Sequence, residues 1–275
     1  MALPAKTLIT TALVVVSALL AHPGFGQMDP TADPEIERCL EQGKVVKKVD
    51  TLVGVTRPDQ LKLECDGETR LVVFKAVDEH RRGVTQLGGG KSELNFSDSF
   101  KYERAAYLLD RELGLNMIPV VVIRSYKGDE GAMVDWIQDA SVQKQMTQTP
   151  TGPQMAELAR QKATMRLFDA LILNVDRRPE NWLVDNETWN LYLIDHGRAF
   201  RTQKRLPEGF EDKKSRISRE LYEKLQALDE TQLVELFEGL ITNGQVKALL
   251  ARRDQIVEKI EEDLAIHGET VVFSG

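Results

Sequence analysis

The run Pro150-Thr151-Gly152-Pro153 interrupts the chain where its texture changes. Two prolines around a glycine can extend neither a helix nor a central strand. Before the break the apolar residues come in short, β-branched runs, and after it they recur at helical spacing. A chain patterned in this way has to pack a sheet-rich part against a helix-rich part, an α+β layout with a cleft between two lobes. Its 275 residues suffice for one such domain, and no internal repeat competes with it.

The first 26 residues stand apart from that pattern. Lys6 is their only charge, Leu8 to Ala21 is apolar, and His22-Pro23-Gly24-Phe25-Gly26 breaks the run among small residues. This reads as a signal peptide, and the run is short of the ~20 residues a membrane span needs. A buried N-terminal helix and an uncleaved anchor are the competing readings. The expected mature chain, 27-275, is exported to a periplasmic or secreted location and has no transmembrane span. Cys39 and Cys65 would then meet an oxidising environment, where a disulfide closing that loop is worth ~3 kcal/mol. Two buried thiols satisfy the sequence equally well. With no Cys-x-x-Cys and only 4 histidines, a zinc site is not expected.

Within the mature chain, Asp33 to Gly43 reads as a helix and Val45 to Val77 as extended chain, with Asp66-Gly67 as a hairpin turn. Asp78 to Asn95 reads as a polar, glycine-rich loop, and about Ser97 to Leu113 as a helix with Phe100, Ala105, Leu108 and Leu109 on one face. Strands are predicted at Ile118 to Ile123 and Ala132 to Ile137, around a turn at Gly128 to Gly131. After the break come a helix from Gln154 to Asn174 and a hairpin turning at Asp185-Asn186. From about Ser215 the chain is helical, with Val234, Leu236, Phe237 and Leu240 sharing a face. The sheet-rich lobe thus spans about 45-140 and the helical lobe about 150-275.

Chemistry concentrates in Asn174-Val175-Asp176-Arg177-Arg178-Pro179-Glu180-Asn181-Trp182 and in Ile194-Asp195-His196-Gly197. Asp176 and Asn181 lie in a loop between a helix and a hairpin, and the hairpin's far strand returns Asp195 beside Asn181. A carboxylate beside an acceptor hydroxyl, with an amide and a second carboxylate for Mg²⁺ or Mn²⁺, is the set phosphoryl transfer uses. Each residue alone fits a duller role: a turn cap, a loop amide, a plain turn. Their order and spacing together favour catalysis. In the other lobe Lys75 interrupts the apolar run Val72 to Val77. If it faces inward it needs an anion, because an unpaired buried ammonium is prohibitive; strand alternation alone leaves its face open. Glu103 on the next helix is the favoured partner, ahead of Glu93 and Glu112.

Two features are set aside. Gly88-Gly89-Gly90-Lys91-Ser92 imitates a P-loop, but Thr85 stands where that motif needs glycine, so a flexible, lid-like loop is expected instead. Lys213, Lys214, Arg216 and Arg219 read as a solvated face. Lys and Arg total 36 against 43 Asp and Glu, a net charge of -7, which argues against nucleic acid as a partner.

Asp176 to Trp182 with Ile194 to Phe200 resembles the catalytic and metal-binding loops of type II phosphatidylinositol 4-kinases. It is also similar to the secreted kinases of the Golgi casein-kinase type. Tyr102-Glu103-Arg104-Ala105-Ala106-Tyr107, with Gly114-Leu115 and Pro119 behind it, is similar to the ion-pair helix and following strand of these atypical kinases, and Gly54-Val55-Thr56-Arg57-Pro58 resembles the nucleotide-covering hairpin of their bacterial relatives. The likeness runs from about Gly54 to Phe200. No Gly-x-Gly-x-x-Gly is present, Val175 stands where conventional protein kinases have arginine, and His196 replaces a phenylalanine; these departures match the atypical branch.

The resemblance implies a two-lobed kinase-like fold that uses ATP with Mg²⁺ or Mn²⁺. Lys75 would hold the nucleotide phosphates, Glu103 would orient Lys75, and Asp176 would be the catalytic base. Asn181 and Asp195 would hold the metal, and Met133-Val134-Asp135-Trp136 would be the hinge that hydrogen-bonds adenine. The expected activity moves the γ-phosphate of ATP to a hydroxyl of a protein, glycan or lipid acceptor outside the cytoplasm. The alternative is an exported pseudokinase that binds nucleotide or a partner without catalysis.

Overall fold

Pro34 at the start and Gly43 just past the end set the limits of α1 (Asp33–Gln42), whose first turn carries Asp33 and Glu35 at the positive end of the helix dipole. The computed structural model describes residues 29–273 apart from 53–56, 88–89, 91, 143–144 and 147, so the expected signal segment and most of Gly54 to Pro58 lie outside the described residues. Next come β1 (Lys44–Thr51), β2 (Asp59–Cys65) and β3 (Glu68–Lys75). Asp66 and Gly67 join the last two with φ of 52° and 88°, the doubly left-handed turn that suits a two-residue hairpin. The strands β8 (Val121–Tyr126) and β9 (Asp129–Asp135) complete a five-stranded antiparallel sheet ordered β1-β2-β3-β9-β8.

Between β3 and the next helix the polar stretch is a ladder rather than the expected loop. β4 (Asp78–His80) pairs with β7 (Ser97–Ser99), and β5 (Val84–Gln86) pairs with β6 (Ser92–Leu94). These three-residue strands carry no apolar alternation, so the pattern that betrays a half-buried strand is missing. Helix α2 (Phe100–Glu112) therefore starts later than expected, with Ser99 as its N-cap. The β8–β9 turn falls at Lys127-Gly128, both left-handed, and β9 begins inside the segment expected to turn.

One face of the sheet carries Leu61, Leu63, Val72, Phe74 and Met133, all buried, and α1 and α2 both pack on the sheet. The other face carries Val73, Lys75, Ala132 and Val134, because Val73 opposes Val134 and Lys75 opposes Ala132. Cys39 of α1 and Cys65 of β2 form a disulfide with their Cα atoms 5.5 Å apart, which settles the two readings of the cysteines.

The helical part opens with α3 (Gly152–Ile172), capped by Thr151 and Gln154 in a reciprocal capping box. A three-stranded sheet of β10 (Ala140–Ser141), β11 (Trp182–Asp185) and β12 (Leu191–Leu193) lies beside it. The hairpin turn is wider than Asp185-Asn186: Asp185 Oδ1 accepts from the N–H groups of Glu187 and Thr188 and shapes a longer connection. The chain ends in α4 (Arg219–Ala227), α5 (Glu230–Leu236), α6 (Asn243–His267) and α7 (Glu269–Val272). Helix α5 stops at Leu236, so Phe237 and Leu240 pack from the turn that follows rather than from a shared helical face. No helix among the described residues is long and apolar enough to cross a membrane.

Candidate active site

Lys75 ends β3 with its side chain on the face opposite Phe74, so the strand sends it away from the α1 packing face. Its Nζ lies 2.6 Å from Glu103 Oε1 and 2.9 Å from Asp195 Oδ1. Burial alone would lower the ammonium's pKa, but the two carboxylates outweigh it and hold the pKa above the ordinary value. Glu103, in the first turn of α2, is buried, yet Lys75 keeps its carboxyl well below the usual range. The rival acids are engaged elsewhere: Glu93 with Arg198 and Arg201, and Glu112 with Gln232 Nε2 at 2.6 Å.

The loop that bears Asp176 is shaped by the left-handed end of α3. Leu173 adopts φ of 48°, and Asn174 then caps backward, donating through Nδ2 to Asp169 Oδ1 at 3.1 Å and accepting through Oδ1 from the N–H of Asp176 at 3.1 Å. Arg177 holds the rest together. Its guanidinium forks onto Asp169, donates to the carbonyls of Asn181 and Ile194, and reaches His196 Nε2 at 2.9 Å. Asn181 donates through Nδ2 to the carbonyl of Asp176 at 2.7 Å, while its own carbonyl accepts from the N–H of Ile194. One arginine and one asparagine thus join the Asp176 loop to the strand end that bears Asp195.

Asp195 itself has φ of 65°. A left-handed non-glycine backbone is a sparsely populated conformation, and strain of this kind collects at functional sites. The conformation frees the next N–H, that of His196, to donate to Glu103 Oε2 at 3.1 Å. His196 is fully buried, and burial pushes its pKa down. Because Arg177 can only donate, His196 Nε2 accepts, and the ring proton sits on Nδ1, which faces Glu103 Oε2 at 3.5 Å.

Three residues at the site were not singled out from the sequence. Arg177 and Asp169 organise the loop, and the only available signal was an arginine beside Asp176 in an otherwise solvated turn. The third is Asp98 of β7, read above as helix start. A Cβ on Gly197 would stand 2.4 Å from Asp98 Oδ1, so this carboxylate presses on the residue two past Asp195. Burial, with Asp195 next in effect, pushes Asp98 up to about 6.

The expected hinge segment closes β9. Met133 is fully buried on the face turned toward the helices, and Asp135, on that same face, holds Arg70 at 2.9 Å through both carboxylate oxygens. The N–H groups of Asp135 and Trp136 donate to the carbonyls of Val120 and Leu71. Register therefore leaves Val134 on the Lys75 face and takes the Met133 and Asp135 side chains out of the cleft.

A donor set for a hard cation is present: the Asn181 amide, fixed through its nitrogen so that Oδ1 turns the other way, and the partly exposed Asp195 carboxylate. Among the described residues no group of three or more His, Cys, Asp or Glu side chains forms a complete metal cage. Two protein donors suit a cation that takes its remaining ligands from phosphates and water.

A family model described as phosphatidylinositol 3- and 4-kinase matches residues 86–254. The match runs beyond Phe200 into α6, where no motif was read, and begins after Lys75. A crystal structure of the Golgi casein kinase is similar at 14% identity with a TM-score of 0.60, covering 89% of this chain and 79% of that one. A second, of the Golgi casein kinase with Mn/ADP bound, is similar at 14% identity and a TM-score of 0.58, with coverage of 88% and 78%. The Helicobacter pylori proinflammatory kinase CtkA is similar at 12% identity and a TM-score of 0.50, over 83% of this chain and 96% of that one. At these identities the likeness is one of fold. No curated protein matches the sequence.

Proposed function

The chain belongs to the phosphatidylinositol 3- and 4-kinase family, and from that premise we propose that it transfers the γ-phosphate of ATP to an acceptor hydroxyl in the gap between Lys75 and the Asp176–Asp195 loops. It is a kinase with a two-lobed kinase-like fold. The observation that carries the site assignment is the position of Lys75 Nζ between Glu103 and Asp195, which joins the sheet part and the helical part at one point.

Lys75 binds the nucleotide phosphates, and Glu103 orients it. Asp176 accepts the proton of the acceptor hydroxyl as that oxygen forms its bond to the γ-phosphorus and the bond to the β-phosphate oxygen breaks, releasing ADP. Asn181 Oδ1 and Asp195 are the residues that hold Mg²⁺ or Mn²⁺, which when bound neutralises triphosphate charge. Arg177 keeps Asp176, Asn181 and Asp195 in register, and neutral His196 braces Glu103. Adenine would meet the Val73 and Val134 side of the sheet. The acceptor is a protein, glycan or lipid hydroxyl, and the kinase unit runs from residue 27 to 275 after removal of residues 1–26, placing the activity outside the cytoplasm. The disulfide of Cys39 and Cys65 supports an oxidising location.

The test is phosphoryl transfer from γ-labelled ATP with Mn²⁺ or Mg²⁺, comparing the native chain with Asp195→Ala. Loss of transfer in the variant is the expected result. Equal signal from both proteins would remove the catalytic assignment, and metal-dependent nucleotide binding with no transfer would make the protein a pseudokinase.

A further inference from the structure

We infer that Asp33 and Glu37 of α1 are positioning residues that hold Glu103 against Lys75 by clamping α2; this rests on the assignment of Lys75 and Glu103 as the nucleotide-binding pair. The stripe of α2 next to Glu103 carries Arg104, Tyr107 and Arg111, and all three turn to α1. Arg104 Nη1 donates to Glu37 Oε1 at 2.6 Å. Arg111 donates through Nε to Asp33 Oδ2, and the Tyr107 hydroxyl donates to the same oxygen at 3.0 Å. Tyr107 lies between the two guanidiniums, 5.0 Å from that of Arg104 and 4.6 Å from that of Arg111. Asp33 is 8% exposed, so this is a buried, desolvated contact rather than a surface pair.

A clamp works only if it is itself fixed, and α1 is fixed to the sheet. Cys39 is bonded to Cys65 at the end of β2, and Arg124 of β8 donates to the carbonyls of Leu40 and Gly43 at the helix's far end. Leu40 is fully buried beneath it. The sheet that carries Lys75 therefore also carries α1, and α1 grips the helix that carries Glu103. Helix α2 cannot slide or rotate relative to Lys75 without breaking Asp33–Arg111 or Glu37–Arg104. Glu103 has two further duties, toward the N–H of His196 and toward its ring, so a shift of α2 would disturb the helical side of the gap as well.

A purely structural role for Asp33 predicts lower stability and nothing specific about Glu103. The experiment is a double-mutant cycle on the full chain, reading the dissociation constant of ADP with Mn²⁺ by calorimetry for the native protein, Asp33→Asn, Glu103→Gln and the double variant. If Asp33 acts through Glu103, Asp33→Asn weakens ADP binding ~fivefold in the native background and by less than ~1.5-fold once Glu103 is glutamine. Asp33→Glu, which keeps the charge, restores part of the loss. The same factor in both backgrounds, or no weakening in the native one, overturns the inference while leaving the site assignment standing. No ADP binding by the native chain overturns the assignment itself and this inference with it. Should Asp33→Asn fail to fold, Glu37→Gln replaces it in the same cycle, with the same outcomes deciding.

Discussion

The two sides of the gap are held by opposite means. On the sheet side, Lys75 and Glu103 are fixed by charge: one ammonium shared between two carboxylates in a desolvated site. On the helical side, the Asp176 loop is fixed by geometry: Arg177 pairs with Asp169 and spends its remaining donors on two main-chain carbonyls and a neutral histidine. Removing one member of either buried pair leaves an ion uncompensated, but on the helical side Asn174 still donates to Asp169 and the loop can relax to recover water. The first side should therefore fail abruptly and the second by loosening.

Lys75→Met tests the sheet side most severely. It takes away the ammonium proposed to bind the phosphates and leaves Glu103 buried beside Asp195 and Asp98, so transfer should fall ~10³-fold, in line with loss of a preorganised electrostatic group. Stability should drop by ~3 kcal/mol for the orphaned carboxylate. Phosphotransfer and urea unfolding measured together check both, and a stable variant with no binding defect would break the comparison at its centre. Arg177→Met tests the other side. It leaves Asp169 with Asn174 and frees the carbonyls of Asn181 and Ile194, with an expected cost of ~3 kcal/mol and a fall in kcat larger than the rise in KM for ATP. If KM moved more than kcat, the loop would be a nucleotide-binding element rather than the seat of the base.

The parts of this arrangement that the sequence disclosed share one property: they are local. Asp66-Gly67 announces a hairpin because two left-handed residues are affordable there and almost nowhere else. The order Asp176, Asn181, Asp195 can be read because a loop and a hairpin fix which residues return to one end. What escaped is long-range or lacks contrast. The ladder from Asp78 to Ser99 has no apolar side, so nothing in its composition separates strand from loop. Asp98 enters the site only because β4–β7 pairing and the Ser99 N–H bond to the Gly197 carbonyl bring it there. The strand that ends at Asp135 was legible, but its register was not, since one residue of shift exchanges the two faces of a strand. Lys75 needed the β3–β9 pairing before its face was known.

The sheet side also carries a pH signature of its own. Asp110 of α2 is fully buried, and burial pushes it from 3.8 up to about 6 in spite of Arg111 and the N–H of Met117. The native state thus binds this proton more tightly than the unfolded chain does. Its contribution to stability falls as pH rises from about 4 to about 6 and is flat above, a change of up to ~3 kcal/mol. In urea unfolding, the stability difference between the native chain and Asp110→Asn should shift in favour of the native chain as pH falls from 7 to 4.5. A difference independent of pH would mean that Arg111 keeps Asp110 ionised throughout, and the sheet side would then be held by charge even more completely.

Gly197→Ala gives the smallest of these effects and addresses the seam where the two sides meet. The new Cβ would fall 2.4 Å from Asp98 Oδ1, while the Gly197 carbonyl still has to accept from the N–H of Ser99 at the start of α2. Either the Asp98 side chain swings away, at a cost of ~1–2 kcal/mol typical of overpacking, or the bond to Ser99 lengthens and α2 moves with it. The two responses separate by a second substitution. If the side chain is all that yields, Asp98→Ala in the Gly197→Ala background restores thermal stability and ADP affinity together. If the backbone has given way and the helix moves, removing the Asp98 side chain restores neither, because Glu103 stays displaced from Lys75. The seam would then transmit strain from the loop after Asp195 into the ion pair, and the contrast between a side held by charge and a side held by geometry would reduce to one continuous element through Gly197.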